Sequence, residues 1–293
     1  MRRDGSLWLG RPQIPASSQL NNYLNMNDKR LLFVTQEVAP YIPGSNVATL
    51  SKELLTKMHS KKFEVRSFMP KLGDVNERRN QLHEVIRLSG LNIPINDADH
   101  PLILKVASLQ PSRIQVYFID NDDYFQQEDS DVDSIGSNRD DNDERAIFFA
   151  RGSVETVKKL RWDPKIVHCS GWITALLPLY LRKQTADAPM LKKSKIVYSV
   201  LPGEITGKFD PEFLRKLGED GVQKTEIKKF KDLECNTNLL HRMALEHANA
   251  VIFHSEPDPE LLKFAEEKGL AILTPDKLGD NPTEAIAEFY DTL

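Results

Sequence analysis

The sequence predicts an α/β protein with a Rossmann-like, doubly wound and mostly parallel sheet. Residues 30–35 form a short, mostly apolar run, as expected for a parallel strand that is covered on both faces. Pro40, Pro43 and Gly44 end this run, and Ser45 is placed to cap a helix whose apolar residues recur at helical spacing. Strand and helix patterns then alternate along the chain, so parallel strands joined by right-handed crossovers are the expected topology.

The remaining elements are predicted in chain order from the same two periodicities. Apolar and β-branched runs predict strands at 63–69, 83–95, 102–109, 113–120, 166–169, 195–200 and 250–254. We expect an antiparallel hairpin among the segments between 83 and 120. Helical spacing predicts helices at 143–160, 172–183, 237–247 and 257–268, the second of them bent or broken at Pro178.

Composition predicts three parts along the chain. Residues 1–25 are expected to be a disordered N-terminal extension, because 11–25 is rich in Pro, Ser and Asn without periodicity. Residues 26–270 are expected to form the α/β domain, with Met26 as a natural initiator. Residues 271–293 are expected to be a C-terminal tail with a short helix.

Charge and cysteine content exclude several classes of protein. The 293 residues carry a formal net charge of −4 with a pI near 6.0, which gives no basic surface for nucleic acid or for a membrane. No apolar run approaches the ~18 residues that span a bilayer. Cys169 and Cys235 are too few for a disulfide framework or a cysteine-based zinc site. We therefore expect reduced thiols and a cytoplasmic location.

The loop after the first strand is a candidate binding site. Gly44, Ser45 and Asn46 stand where a helix begins, and free backbone N–H groups at the positive end of a helix attract anions. Every βα turn of an α/β fold has the same anatomy, however. The loop contains neither G-x-G-x-x-G nor the G-x-x-x-x-G-K-[ST] phosphate loop. Both interpretations remain open, and no cofactor is predicted.

An acidic segment at 128–144 is the one stretch with a hint of metal-ligand spacing. Asp129, Asp131 and Asp133 are spaced as in a calcium loop, but Ser134 stands where that loop requires glycine. We therefore expect a solvated loop here and no metal site in the protein.

Four motifs in order resemble one family. Glu37-Val38-Ala39-Pro40-Tyr41 resembles the opening of bacterial glycogen synthases and plant starch synthases, and the segments 116–125, 141–155 and 162–181 resemble three later motifs of that family. The resemblance implies that the domain is the N-terminal half of a GT-B glycosyltransferase. The activity of that family is glucosyl transfer from ADP-glucose to an α-1,4-glucan, so ADP-glucose and an α-glucan are the implied ligands.

The resemblance also implies candidate substrate-binding residues, which are Glu37, Gly44, Ser45, Asn46, His168 and Trp172. His168 lies at the C-terminal end of a predicted strand, where ligands of open α/β sheets bind. The alternative for His168 is a buried, hydrogen-bonded side chain. The alternative for Trp172, which could stack on a glucan, is packing in the core.

Departures from the family fall at positions where its members are polar. Pro43 stands in place of a lysine, Gly171 in place of an acidic residue, Ile173 in place of a polar one and Leu201 in place of a histidine. Leucine and isoleucine cannot donate hydrogen bonds to a sugar or a phosphate. No catalytic residue is therefore predicted.

Two functional hypotheses follow from these departures. The first is a catalytically degenerate domain that binds a glucan or a partner protein. The second is an active half-subunit completed by a separate polypeptide that carries the nucleotide-binding domain, since the 38 residues after Ser255 are too few for one.

The partner hypothesis makes a structural prediction about apolar residues at the C-terminal edge of the sheet. Tyr41, Ile42, Ile173 and Leu201 are expected there. Either they form an exposed patch that docks a second polypeptide or a copy of this chain, or they are covered by residues 270–293 or repack into a closed core.

Overall fold

The computed structural model describes residues 29–126, 139–183, 189–202, 205 and 207–293. The strands of this part of the chain are β1 (Arg30–Thr35), β2 (Glu64–Pro70), β3 (His83–Glu84), β4 (Leu91–Ile95), β5 (Ala98–Leu109), β6 (Ile114–Asp120), β7 (Ile166–Ser170), β8 (Lys195–Val200), β9 (Ala250–Phe253) and β10 (Ala271–Leu273). The helices are α1 (Asn46–Ser60), α2 (Glu77–Asn80), α3 (Asp122–Phe125), α4 (Asn142–Leu160), α5 (Leu177–Lys183), α6 (Phe213–Glu219), α7 (Lys224–Ile227), α8 (Thr237–His247), α9 (Pro259–Glu267), α10 (Pro275–Leu278) and α11 (Pro282–Asp291). Two 3-10 turns lie at Trp172–Thr174 and Pro189–Lys193.

The strands form one mixed sheet in the order β10-β9-β8-β7-β1-β2-β6-β5-β3, with β4 paired to β5. Neighbours from β10 to β6 are parallel, whereas β5 pairs antiparallel with β6, β4 and β3. The order reverses between β1 and β7, which is where ligands bind in open α/β sheets. The predicted doubly wound α/β fold and the predicted antiparallel hairpin are both confirmed.

Strand β1 and helix α1 form for the reasons that the sequence suggests. Leu31 and Val34 are fully buried although they face opposite sides of the pleat, so β1 is covered on both faces. Ser45 accepts a hydrogen bond from the backbone N–H of Ala48 at 3.1 Å, which confirms it as the N-cap of α1. Leu54 and Met58 are among the residues that α1 buries.

Two helical predictions differ from the structure at their ends. The predicted helix at 172–183 is a 3-10 turn followed by α5, and the interruption comes before Pro178. Pro178 lies in the first turn of α5, where its missing N–H would have had no helical partner in any case. The short helices α6 and α7 were not predicted, because each offers too few residues to show a period.

Residues 271–293 contribute to the sheet and its covering helices. Strand β10 adds a parallel strand beside β9 at the edge of the sheet. Helix α11 buries Ile286, Ala287 and Tyr290 and packs against α1, where Glu284 forms ion pairs with Lys57 and Lys61. The expected tail with one short helix is therefore, in the structure, a strand and two helices that pack on the domain.

Two predictions concern segments outside the described residues. The N-terminal extension at 1–25 and most of the acidic loop, including Asp129 to Asp133, lie there. None of the helices in the described ranges combines the length and the apolarity that a membrane crossing requires.

Candidate functional site

The candidate substrate-binding site lies at the carboxyl ends of β1, β7, β8 and β9. The register pairs Thr35 with Ser170 and Ser170 with Ser199, so the carboxyl ends of these strands are level with one another. The loop that follows β1 and the 3-10 turn that follows β7 both leave from this edge. Of the six predicted substrate-binding residues, Glu37, Gly44 and Ser45 lie in the loop after β1 and Asn46 begins α1, while His168 lies in β7 and Trp172 in the 3-10 turn.

Glu37 and Ser45 contact each other across the loop. Ser45 donates a hydrogen bond from its hydroxyl to the Glu37 carboxylate while it caps α1. Glu37 is 8% exposed, and burial raises the pKa of its carboxyl group, an effect that the Ser45 hydrogen bond partly offsets. The pair therefore fixes the geometry of the loop, and the carboxylate has one lone-pair direction already occupied.

Gly44 and Asn46 lie on the outer side of the same loop. Gly44 has a φ of +82° and no atom within 4 Å of the position of a Cβ, so it is required by the backbone conformation and not by a close neighbour. Asn46 is exposed at the first position of α1. Both residues are open to solvent at the start of the helix.

His168 is buried inside a chain of polar side chains. It is 1% exposed; its Nδ1 lies 2.5 Å from the Tyr290 hydroxyl and its Nε2 lies 2.7 Å from Ser199 Oγ. Ser199 Oγ in turn lies 3.0 Å from Nε2 of His254. Both imidazole nitrogens of His168 are thus occupied by groups of the protein itself.

Burial also keeps His168 and His254, the two histidines of this hydrogen-bonded series, neutral. It lowers the pKa of His168 to about 3, with a smaller contribution from the nearby His254, and it lowers the pKa of His254 to about 4. At neutral pH the hydrogen-bonded series Tyr290–His168–Ser199–His254 therefore carries no charge on its imidazoles. It cannot act as a cationic site for phosphate in this conformation.

Trp172 is a core residue in the structure. Its side chain is fully buried, and its ring lies at 6.4 Å from the ring of Phe209 with an interplanar angle of 31°. A stacking platform for a sugar needs an accessible ring face. In this conformation Trp172 presents none.

Gly171 directly follows β7, at the carboxyl edge of the sheet. It has a φ of +90°, and a Cβ at this position would lie 2.1 Å from Oε1 of Gln36 and 3.2 Å from Cδ1 of Leu201. Oε1 of Gln36 is buried and accepts no hydrogen bond from the described residues. Any side chain at 171, an acidic one included, would have to displace Gln36.

The expected exposed apolar patch is absent at three of its four positions. Tyr41, Ile173 and Leu201 are 3%, 0% and 5% exposed, and Ile42 is partly buried. The prediction that these residues form an exposed docking patch is therefore wrong. Tyr41 and Ile173 belong to the hydrophobic core of the domain, Ile42 packs against that core, and Leu201 lies beside Gly171.

Sequence reasoning missed the partners of His168. Ser199 lies near the end of β8 and His254 directly follows β9, so the rule that the ends of parallel strands meet at one edge could have grouped them with His168. Tyr290 comes from the last helix, 122 residues away, and has no local signal. In the described parts of the chain, His, Cys, Asp and Glu side chains form no cluster that could hold a metal ion.

The fold is of the kind that forms one half of the GT-B arrangement, a mostly parallel, doubly wound sheet with loops at its carboxyl edge. The catalytic domain of starch synthase IV from Arabidopsis thaliana, solved with ADP and acarbose, superposes with a TM-score of 0.64 at 16% identity, covering 84% of this chain and 50% of that one.

The family is shown by the sequence match. Residues 30–266 match the family described as the starch synthase catalytic domain, and the chain belongs to this family. Glycogen synthase from Chlorobaculum tepidum is 32% identical over 250 residues, which cover 82% of this chain and 50% of that protein. Glycogen synthase from Chlorobaculum parvum is 35% identical over 189 residues, which cover 64% and 38%. The chain spans about half the length, or less, of these relatives.

Proposed function

We propose that this chain is a glucan-binding domain of the starch synthase family that does not transfer glucose by itself. The observation that carries the proposal is the state of His168, which is 1% exposed and held between Tyr290 and Ser199. A sugar or a phosphate that needed this side chain would first have to displace helix α11.

The side chains around this edge support the same conclusion. A retaining glycosyl transfer requires hydrogen-bond donors that hold the sugar and stabilise the charge on the departing phosphate. Ile173 and Leu201, which occupy positions where the family is polar, have no donor and are buried. Pro43 likewise offers no cation in the loop before α1. The loss of donors at three positions of one edge removes the electrostatic part of the catalysis.

Glucan binding is proposed from the relatives and not from this edge. The curated relatives are glycogen synthases, and the Arabidopsis starch synthase domain was solved with acarbose bound. A domain that keeps the fold while losing the donors of the transfer can retain affinity for the polymer. ADP-glucose affinity is expected to be no better than millimolar, about −4 kcal/mol.

A paired assay tests this proposal. The purified chain is incubated with ADP-glucose and glycogen, and glucose incorporation is compared with that of a boiled sample; no turnover above this control is expected. In parallel, the chain is centrifuged with glycogen, and co-sedimentation is expected. Turnover by the chain alone would refute the absence of transfer, and failure to sediment with glycogen would refute the glucan-binding role.

A second candidate function is an active half-subunit completed by another polypeptide. The observation that favours it is the Glu37–Ser45 pair, which keeps a carboxylate and a capped helix start at the edge of the sheet. Adding the separately produced nucleotide-binding half of the Chlorobaculum tepidum relative tests it. Glucose incorporation that appears only in the mixture would favour this second candidate over the first.

A further inference from the structure

A basic groove lies at the amino edge of the sheet, opposite the edge that is closed around His168. It has a volume of about 550 Å³ and is bounded by the end of α5, the end of α8 and the residues that lead into β8 and β9. None of the described residues that line it belongs to the candidate substrate-binding site. The groove is therefore a separate feature of the fold.

Positive charge is concentrated in this groove. Arg182 and Lys183 line it from the end of α5, and Lys192, Lys193 and Lys195 line it from the segment that leads into β8. The formal net charge of −4 for the whole chain does not reveal this cluster, because the five cations come from two separate segments that meet only in the fold.

The carboxylates beside the groove are already neutralised by other cations. Glu246, which lines the groove, forms ion pairs with Lys229 at 2.7 Å and with Lys268. Glu226 forms ion pairs with Lys183 at 2.8 Å and with Lys229 at 3.0 Å. These two carboxylates therefore account for one of the five cations in the wall and leave the others without a counter-charge.

The three lysines before β8 have no partner in the described chain. The ammonium groups of Lys192, Lys193 and Lys195 form neither an ion pair nor a hydrogen bond with the residues that the structure describes. Cations near the C-terminal end of an α-helix are favoured by its free carbonyl groups, which explains Arg182 and Lys183. The three lysines follow α5 and belong to a 3-10 turn and a strand, so this reason does not apply to them.

Arg182 holds the wall of the groove together. Its guanidinium group donates hydrogen bonds to the carbonyl oxygens of Lys192 and Ser194, at 3.1 Å each, and to Oδ1 of Asn249 at 2.7 Å. The backbone N–H of Ile196 also donates to Oδ1 of Asn249, at 2.9 Å. The two donors fix the orientation of this amide, and its NH₂ group remains as a donor at the groove.

The lining of the groove favours a phosphate ligand over other classes. Ammonium groups and an amide NH₂ group are donors, and phosphate oxygens are strong acceptors for charged donors. A cationic ligand would find no carboxylate without a partner among the described lining residues. A nucleobase would find little apolar surface, since Ala248 is the one apolar residue of the described lining. Three lysines without a counter-charge match more than one phosphate group.

We propose that this groove binds a compact, non-aromatic molecule that carries two or more phosphate groups. The ammonium groups of Lys192, Lys193 and Lys195 and the amide of Asn249 bind the phosphate oxygens. The volume lies within the range of small-molecule sites, about 300–1,000 Å³. This site goes beyond the proposed function and does not depend on it, because neither a glucan nor the edge at His168 takes part.

Calorimetric titration with inorganic tripolyphosphate and with inositol hexakisphosphate tests the groove. The first probe represents a free polyphosphate and the second a phosphate ester. At an ionic strength of about 0.15 M, which screens weak surface attraction, the wild type is expected to bind one of them at a single site with a Kd below about 1 mM. The probe that binds more tightly identifies the source of the phosphate groups.

A pair of double variants with equal charge separates the groove from general surface charge. Lys192→Gln with Lys193→Gln is expected to weaken binding about tenfold or more, because two charge-assisted contacts are lost at exposed positions. Lys62→Gln with Lys277→Gln removes the same charge from two exposed lysines outside the groove and should bind as the wild type does. In the wild type, the added probe is expected to slow hydrogen exchange at 192–195 and 246–249.

Three results would overturn the proposal. The first is a wild type that binds neither probe, and the second is an equal loss of affinity in the two double variants, which would assign binding to the general surface. The third is binding of a single-stranded oligonucleotide without binding of either probe, which would make the groove a nucleic-acid surface. Co-sedimentation with glycogen is measured separately, so the proposed function can stand when this site fails.

Discussion

The buried histidine at the closed edge makes a prediction about acid stability. His168 is fully buried and neutral, and burial lowers its pKa to about 3 from a usual value of about 6.5. Between these two pH values the unfolded chain binds a proton that the folded chain does not. The unfolding free energy is therefore unaffected by this histidine above pH 6.5 and falls as the pH drops from 6.5 toward 3.

The size of this effect follows from the shift in pKa. Each pH unit below 6.5 lowers the unfolding free energy by about 1.4 kcal/mol for one such histidine, so at pH 5 the loss due to His168 is about 2 kcal/mol. His254 adds a further loss of unfolding free energy, because burial lowers its pKa to about 4. Replacing His168 with glutamine should remove only the loss due to His168.

Urea unfolding at pH 7 and pH 5 measures the prediction. The loss of unfolding free energy between the two pH values should be smaller in His168→Gln than in the wild type by about 2 kcal/mol. Ile286→Val controls for lower stability as such, because it trims a buried methyl group of α11 and costs about 1 kcal/mol without changing a titratable group. That variant should keep the full wild-type loss. The reasoning is refuted if wild type and His168→Gln lose the same free energy to within 0.5 kcal/mol.

Two further predictions concern stability. Gly171→Ala should lower the unfolding free energy by about 3 kcal/mol, since the new Cβ would meet Gln36 and the backbone φ is +90°. Gly44→Ala, at a φ of +82° with open space around the Cβ position, should cost only about 1–2 kcal/mol. Equal losses of free energy in chemical denaturation would show that the Gln36 contact is unimportant. Lys216→Met should cost about 3–5 kcal/mol, because the Lys216 side chain is 4% exposed and its ammonium group lies 2.8 Å from the buried carboxylate of Asp143. Arg215→Met on the exposed side of the same helix should give no measurable change in the thermal midpoint, and similar midpoints for both variants would argue against a buried pair.

The sequence by itself determined the class of fold and the family. The apolar run at 30–35 and the capping position of Ser45 are local signals, and both were confirmed because burial on two faces and a free N–H at a helix start each demand particular residue types. The motif that begins at Glu37 gave the resemblance that the match over 30–266 confirmed. These properties depend on neighbours within a few residues.

Only the tertiary structure decided how the edge of the sheet is filled. Tyr290 reaches His168 across 122 residues, and Gln36 takes the space beside Gly171, so neither contact leaves a periodic trace in the sequence. The burial of Ile173 was not predictable either, since an apolar residue at a strand end suits a docking surface and a closed core equally well. Burial and hydrogen-bond partners are set by which distant segments pack together, and that choice is made by the whole chain.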